Sequence, residues 1–436
     1  MQKKILAGLA AVALSVGAGT LGLTRPWAAA PGDRVPGGLE LPWMWQATVD
    51  MGAPGPASVL AGGDTLGFQG GDFYDAEGKI AVVGRDGDYR MLLQGGWNDV
   101  AAGEDVLLSP DGTRVARPAV DVSGLEVVDL TSGKAPVYTG GNADSLIGPV
   151  AWSPEGRSLL VALYAGGAPE GNRFALLDLD TDTLQPLGEV TSTVGMQAAA
   201  RGAISPDGTR IVLTDGATLR AVDRTGATAW TTTLSDRQRL AGVGAFSPDG
   251  ARIAVAELDG CLDACDEDAL AARRWTISYR DATTGAATTG PVLPAVTGSG
   301  IRALGWSQGR DLVVLRYEPE DDAFRPARGD ASTTGWDDTG WYETGHLTLL
   351  ALGPDGTTRT LLDPPDGVLT LDVARDLLEA GSFGGPTPTA DPFPARGIIW
   401  LAIAPVLLVA SPLLFGLALH LRRRRRTYPV ATGRVA

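Results

Sequence analysis

The chain is 436 residues long, 44% apolar and formally −15 at pH 7. That length holds two ordinary domains or one large repeat domain with a sizeable core. Nine of the 36 lysines and arginines lie outside residues 31–396, which leaves that stretch with 27 cations against all 51 acids, a net of −24. Such a surface repels nucleic-acid phosphates and anionic lipid headgroups, which excludes both as partners of the body.

Residues 1–30 contain no acid. Lys3 and Lys4 precede an apolar run from Ile5 to Leu23, and Ala28, Ala29 and Ala30 stand just before Pro31. A positive start, an apolar stretch and a small-residue end make a secretory signal peptide, with an uncleaved N-terminal anchor as the alternative. Either way the following residues are expected outside the cytoplasm. Cys261 and Cys265 are the only cysteines. An even pair in an exported domain predicts a disulfide, with free thiols or a metal site as lesser readings.

From residue 108 the chain repeats itself. Leu108-Ser109-Pro110-Asp111-Gly112 is followed by Trp152-Ser153-Pro154-Glu155-Gly156, Ile204-Ser205-Pro206-Asp207-Gly208, Phe246-Ser247-Pro248-Asp249-Gly250 and the degenerate Trp306-Ser307-Gln308-Gly309. Proline presets φ at the second position of a type I turn, serine suits the first, an acid the third and glycine the fourth. An apolar residue enters each turn and an apolar strand leaves it. A third strand then ends at a second turn near Asp129, Asp178, Asp223 and Asp281. One unit therefore reads strand, tight turn, strand, loop, strand, turn, strand. The serines lie 44, 52, 42 and 60 residues apart, near the roughly 40–50 residues of a four-stranded propeller blade.

This pattern resembles the TolB-type, WD-repeat-like propeller repeats, whose mark is an apolar residue, Ser-Pro-Asp-Gly and a β-rich strand. The resemblance runs from about Val106 to Leu362 and implies an all-β propeller, commonly a binding or docking platform. The stretch from Ala57 to Leu93 reads as an earlier blade. A last blade is expected from Val368 to Phe383, completed by Trp43 to Val49. That makes six or seven four-stranded blades, and the reading leans to seven, over residues 31–380.

Three loops between second and third strands are enlarged: Ala165 to Asn172, Leu258 to Arg274 and Glu318 to Gly345. Blade geometry puts all three on the face opposite the Ser-Pro-Asp-Gly turns, and long loops in compact domains are commonly functional. The third holds Arg325, Arg328, Trp336, Trp341 and Tyr342, the composition of an interaction hot spot; the alternative is that its aromatics fold back over the blade edge.

Other motifs carry less. Gly305-Trp306-Ser307-Gln308-Gly309 matches a nucleophile elbow, but Ser307 shares the register of the turn serines and a strand follows it. Asp178, Asp180, Asp182 and Glu189 have calcium-loop spacing, but Thr183 stands where the sharp turn needs glycine. Arg328-Gly329-Asp330 is a triplet that long chains produce by chance. No cofactor is expected, and no catalytic or metal residue is assigned.

Pro386, Pro388, Pro392 and Pro394 mark 381–396 as a semi-extended stalk. Gly397 to Leu421 then runs without a formal charge into five arginines, Arg422 to Arg426. A stretch of that length crosses a bilayer as a helix, and the arginines hold residues 422–436 inside. The expectation is a single-pass plasma-membrane protein with an outward-facing propeller that binds a protein or cell-envelope ligand. Its rivals are a propeller hydrolase or lyase acting on an envelope polymer, and a scaffold subunit of a membrane complex. The partner and the oligomeric state stay open.

Overall fold

The computed structural model describes residues 33–42, 46–63, 79–92, 102–119, 122–141, 145–165, 173–189, 201–325, 344–390, and 414, 416–419 and 421. The architecture begins with the repeated turn. In the second blade Ser109 Oγ donates to Asp111 Oδ1 (2.7 Å) and accepts from the Arg114 amide (2.9 Å), while the Thr113 amide donates to the same Asp111 oxygen (3.0 Å). Gly112 holds φ at 72°, the left-handed region where glycine is favoured. Ser205 with Asp207 and Ser247 with Asp249 repeat this network. All five turn serines are buried. Each turn thus satisfies its own polar groups and reverses the chain between the first and second strands of a blade.

These reversals generate six antiparallel sheets among the described residues. The second blade comprises Leu107–Leu108, Arg114–Pro118, Leu125–Asp129 and Val137–Tyr138. The third comprises Ser145–Trp152, Ser158–Ala165, Arg173–Asp178 and Thr183–Glu189. The fourth comprises Gly202–Ile204, Arg210–Asp215, Thr218–Asp223 and Thr228–Thr233. The fifth has Gln238–Leu240, Arg252–Asp259 and Arg274–Asp281, whose outer edge pairs with both Ala287–Thr288 and Val296–Thr297. The sixth comprises Gly300–Ser307, Asp311–Pro319, Thr344–Leu352 and Thr358–Leu362. The first is completed from both ends of the domain: Thr370–Val373 pairs with Ala57–Gly63, followed by Lys79–Gly84 and Tyr89–Leu92.

The core lies between blades rather than within one layer. One apolar cluster joins the second and third blades through Val127, Ile147 and Val161. Another joins the third and fourth through Leu160, Phe174 and Ile211. A third runs through the fourth, fifth and sixth, and the largest closes the ring by joining the sixth, first and second through Val313, Val59 and Val115. Each fully buried leucine, isoleucine or valine contributes about 1.5–3 kcal/mol, so a blade cannot leave the ring without exposing two faces.

Among the described residues the ring has six blades and no seventh, because the described parts of its two expected pieces pair with the first. Thr370–Val373 supplies the first blade's inner strand. At the outer edge of that same sheet, Thr48 bridges Met91 and the Met91 amide donates to Ala47 O (2.8 Å). The segments assigned to a separate sheet therefore pair with opposite edges of one already present.

Beyond the helix Arg375–Ala380, residues 381–390 dock on the N-terminal segment. Val35 N donates to Ser382 O (2.8 Å), Gly385 N to Val35 O (2.9 Å) and Ala390 N to Glu40 Oε2 (2.9 Å). Residues 391–396, the expected signal segment 1–30 and the expected tail 422–436 lie outside the described residues. Of the predicted span 397–421, only residues 414, 416–419 and 421 are described, and they are helical. Among the described residues no helix is long and apolar enough to cross a membrane.

Candidate functional site

The loop of the fifth blade between Arg252–Asp259 and Arg274–Asp281 is described throughout. Cys261 and Cys265 are joined by a disulfide with Cα atoms 5.9 Å apart. Asp266 caps the short helix Glu267–Ala271 by accepting from the Ala269 amide (2.9 Å). The neighbouring loop of the sixth blade, described as far as Arg325, is fastened to this one. Cys265 and Arg325 exchange both backbone hydrogen bonds, at 3.0 and 2.8 Å. The Asp322 amide donates to Glu267 Oε2 (2.9 Å), and Ala323 packs with Cys265 and Leu270.

Arg273 locks the base of the clasp. Its side chain is buried; Nε donates to Cys261 O (2.8 Å), Nη1 to Ser299 O (3.2 Å) and Nη2 to Leu262 O (3.3 Å). Two enlarged loops from adjacent blades thereby form one rim. Of the predicted ligand-binding residues, Arg325 sits in this rim, its backbone paired and its side chain partly exposed. Phe324 beside it is 54% exposed. Arg328, Trp336, Trp341 and Tyr342 lie outside the described residues, as does the Arg328-Gly329-Asp330 triplet.

The inner ends of the blades hold a second feature, which the sequence reading missed. Arg302, on the inner strand of the sixth blade, is 1% exposed. Its guanidinium donates to the carbonyls of Gly103 and Ala102, which lead into the second blade, and of Leu371 on the inner strand of the first. Gly103 suits that approach: its φ of 80° lies in the left-handed region, and a Cβ would meet the Arg302 guanidinium. Glu104, Asp372 and Tyr317, all buried, surround the cation. Asp372 accepts from the amides of Leu108 (2.9 Å) and Val373 (3.0 Å). Arg239 lies over the Trp275 ring at 3.9 Å, and Arg201 donates to the Tyr164 hydroxyl.

Burial pushes the Glu104 carboxyl up to about 7, against the opposing pull of Arg302 and with added repulsion from Asp105. Burial likewise raises Asp105 and Asp372. Arg302 thus ties three adjacent blades together at their inner ends. Toward the Ser-Pro-Asp-Gly face a narrow pocket of about 30 Å³ remains, lined by Leu108, Trp152, Leu304 and Val373 among others; it has room for little more than water. The available signal was a charge four or five residues before a turn serine: Glu104 and Asp105, Arg201, Arg302. A bulge between Ala303 and Gly305 accounts for the extra residue in the sixth blade.

The remaining motifs resolve structurally. Ser307 is buried in the fifth turn and leads into the strand Asp311–Pro319, so it forms no strand-to-helix elbow. His346 pairs with Asp363 (2.9 Å) at the far end of that sheet. The three aspartates of the calcium-like spacing diverge. Asp178 Oδ1 accepts from the amides of Asp180 and Thr181, Asp180 pairs with Arg157, and Asp182 Oδ1 accepts from the Gly140 amide.

No protein-family model matches the chain, and no curated protein matches it. Solved structures similar to it include a TolB from Agrobacterium tumefaciens, at 20% identity over 51% of this chain and 76% of that one, with a TM-score of 0.34. TolB from Acinetobacter baumannii is 16% identical over 72% and 65%, with a TM-score of 0.39. An oligogalacturonate lyase in complex with manganese is 13% identical over 74% and 77%, with a TM-score of 0.43. The six sheets and their repeated turns, rather than these distant likenesses, make the chain a β-propeller.

Proposed function

We propose that this chain is a membrane-anchored, extracytoplasmic propeller whose enlarged-loop rim docks a protein or cell-envelope ligand. The observation that carries the reading is the clasp between Cys265 and Arg325, which fastens the loops of two adjacent blades to each other. Preorganised surfaces bind with less entropic loss. The disulfide suits an oxidising compartment. The apolar stretch 397–421 followed by five arginines supports the anchor, and Leu414, Leu417, Leu419 and Leu421 expose their side chains.

Photo-cross-linking of the full-length protein on intact cells tests this. Photoreactive residues at Asp263 and Phe324 on the rim are expected to yield one common adduct, and those at Asp207 and Asp249 on the turn face none. Adducts from the turn face alone, or from neither face, overturn the reading. Equal adducts from both faces select the scaffold role instead. The enzymatic rival draws on Glu104, whose raised carboxyl falls in the range of a general acid or base. Turnover of an envelope polymer by the full-length protein, lost in Glu104→Gln, would select it.

A further inference from the structure

We propose that the Cys261–Cys265 disulfide is a thiol-exchange site, in which an external dithiol attacks Cys261 and Cys265 leaves as a thiolate beside Arg273. The two sulfurs differ in access. Cys265 is 0% exposed, whereas Cys261 is only partly buried. A nucleophile approaching from solvent meets Cys261. They also differ in surroundings, because Arg273 Nη2 lies 3.5 Å from Cys265 Sγ. That guanidinium stays charged under all ordinary conditions and is 4% exposed, so its field is little screened by water. Asp263, Asp266 and Glu267 in the same loop oppose it, but Arg273 is in direct contact with the sulfur.

The exchange is balanced in two steps. A thiolate of the dithiol forms a bond to Cys261 Sγ; the Cys261–Cys265 bond breaks and its electron pair leaves on Cys265 Sγ. The second thiol of the reagent then loses its proton and attacks its partner sulfur in the mixed disulfide. Cys261 is expelled as a thiolate and takes up a proton. The protein disulfide is reduced by two electrons and the dithiol is oxidised to its own disulfide.

Two further features favour a reversible site. The cysteines are four positions apart, so the bond restrains the unfolded chain little and opening it costs the fold little stability. After opening, the hydrogen bonds of Arg273 to Cys261 O and Leu262 O keep the thiols near each other. What is lost is the covalent tether behind the Cys265–Arg325 pairing. The proposal concerns exchange chemistry and stands whether or not the rim docks a partner.

Treatment of the full-length protein with glutathione, followed by acid quenching and peptide mapping, is expected to place the mixed disulfide on Cys261 in about tenfold excess over Cys265. Reduction by dithiothreitol should slow about threefold in Arg273→Gln, because a leaving thiol of higher pKa departs more slowly. Arg273→Lys should restore the rate, which a merely packing role would not. An adduct on Cys265 or shared equally, an unchanged rate in Arg273→Gln, or a bond that opens only on global unfolding overturns the proposal. Should Arg273→Gln fail to fold, the glutathione map on the unaltered protein decides alone.

Discussion

The buried cluster around Arg302 and the repeated turns both rest on carboxylates, and the two regions treat them in opposite ways. In the cluster, burial outweighs the neighbouring cations and raises Glu104, Asp105 and Asp372. In the turns, the Ser205 hydroxyl and Thr209 amide hold Asp207 down, and the Ser247 hydroxyl and Ala251 amide do the same for Asp249. Even at Asp111, where burial pushes upward, the amide and hydroxyl of Thr113 and the Ser109 hydroxyl prevail. A carboxylate given three donors at the surface gains from its charge, whereas one drawn into the interior is penalised for it. The blades are therefore shaped by self-sufficient local turns, and the ring is fastened by a desolvated polar cluster.

The largest effect is expected from Arg302→Met. Removing the cation leaves Glu104 and Asp372 buried without it, at a loss of about 3–5 kcal/mol. Denaturant unfolding of the full-length protein measures this; a loss below about 1 kcal/mol would place Arg302 with ordinary surface pairs and dissolve the contrast. Next comes Glu104. Its folded value of about 7 lies above the ordinary glutamate value of 4.5, so the folded state binds the proton more tightly and stability falls as pH rises from 4.5 to 7. The decline from this group is about 3 kcal/mol, and Asp105 and Asp372 add to it in the same direction. Glu104→Gln is expected to flatten the curve of unfolding midpoint against pH over that window; an unchanged slope would show that Glu104 is not the group responsible.

Ser205→Ala should have the smallest effect, about 1 kcal/mol at neutral pH, from the lost hydrogen bonds to Asp207 and the Arg210 amide. Its pH signature runs the other way. The depressed Asp207 contributes stability above its unfolded pKa that is lost as pH falls below about 3.8 through the folded value. The variant should therefore lose less than the parent on acidification. Equal acid sensitivity in both would sharpen attention on the second family of turns at Asp129, Asp178, Asp223 and Asp281.

What could be read from the residues follows the same division. The Ser-Pro-Asp-Gly turns were legible because their chemistry is complete within six residues, from Ser109 to Arg114 for example. Blade number was not, since Trp43 to Val49 and Val368 to Phe383 look alike whether they make a sheet of their own or join the two edges of an existing one. That choice depends on which partner strand is nearby, a long-range matter. The cluster at the inner ends was hidden because Glu104 with Asp105, Arg201 and Arg302 are short charged interruptions of apolar stretches, offset by a bulge. The disulfide was legible from compartment and parity, but its pairing through Cys265 with Arg325 spans two blades and leaves no local pattern.

The inner strand of the first blade comes from Thr370–Val373, near the end of the domain. During synthesis, the edge formed by Val59, Leu60 and Ala61 is made among the earliest residues and waits for its mate until almost all the rest has emerged. The first sheet begun is the last one finished. A ribosome stalled before residue 370 would thus release a chain with an open, apolar seam, the kind of intermediate that chaperones guard.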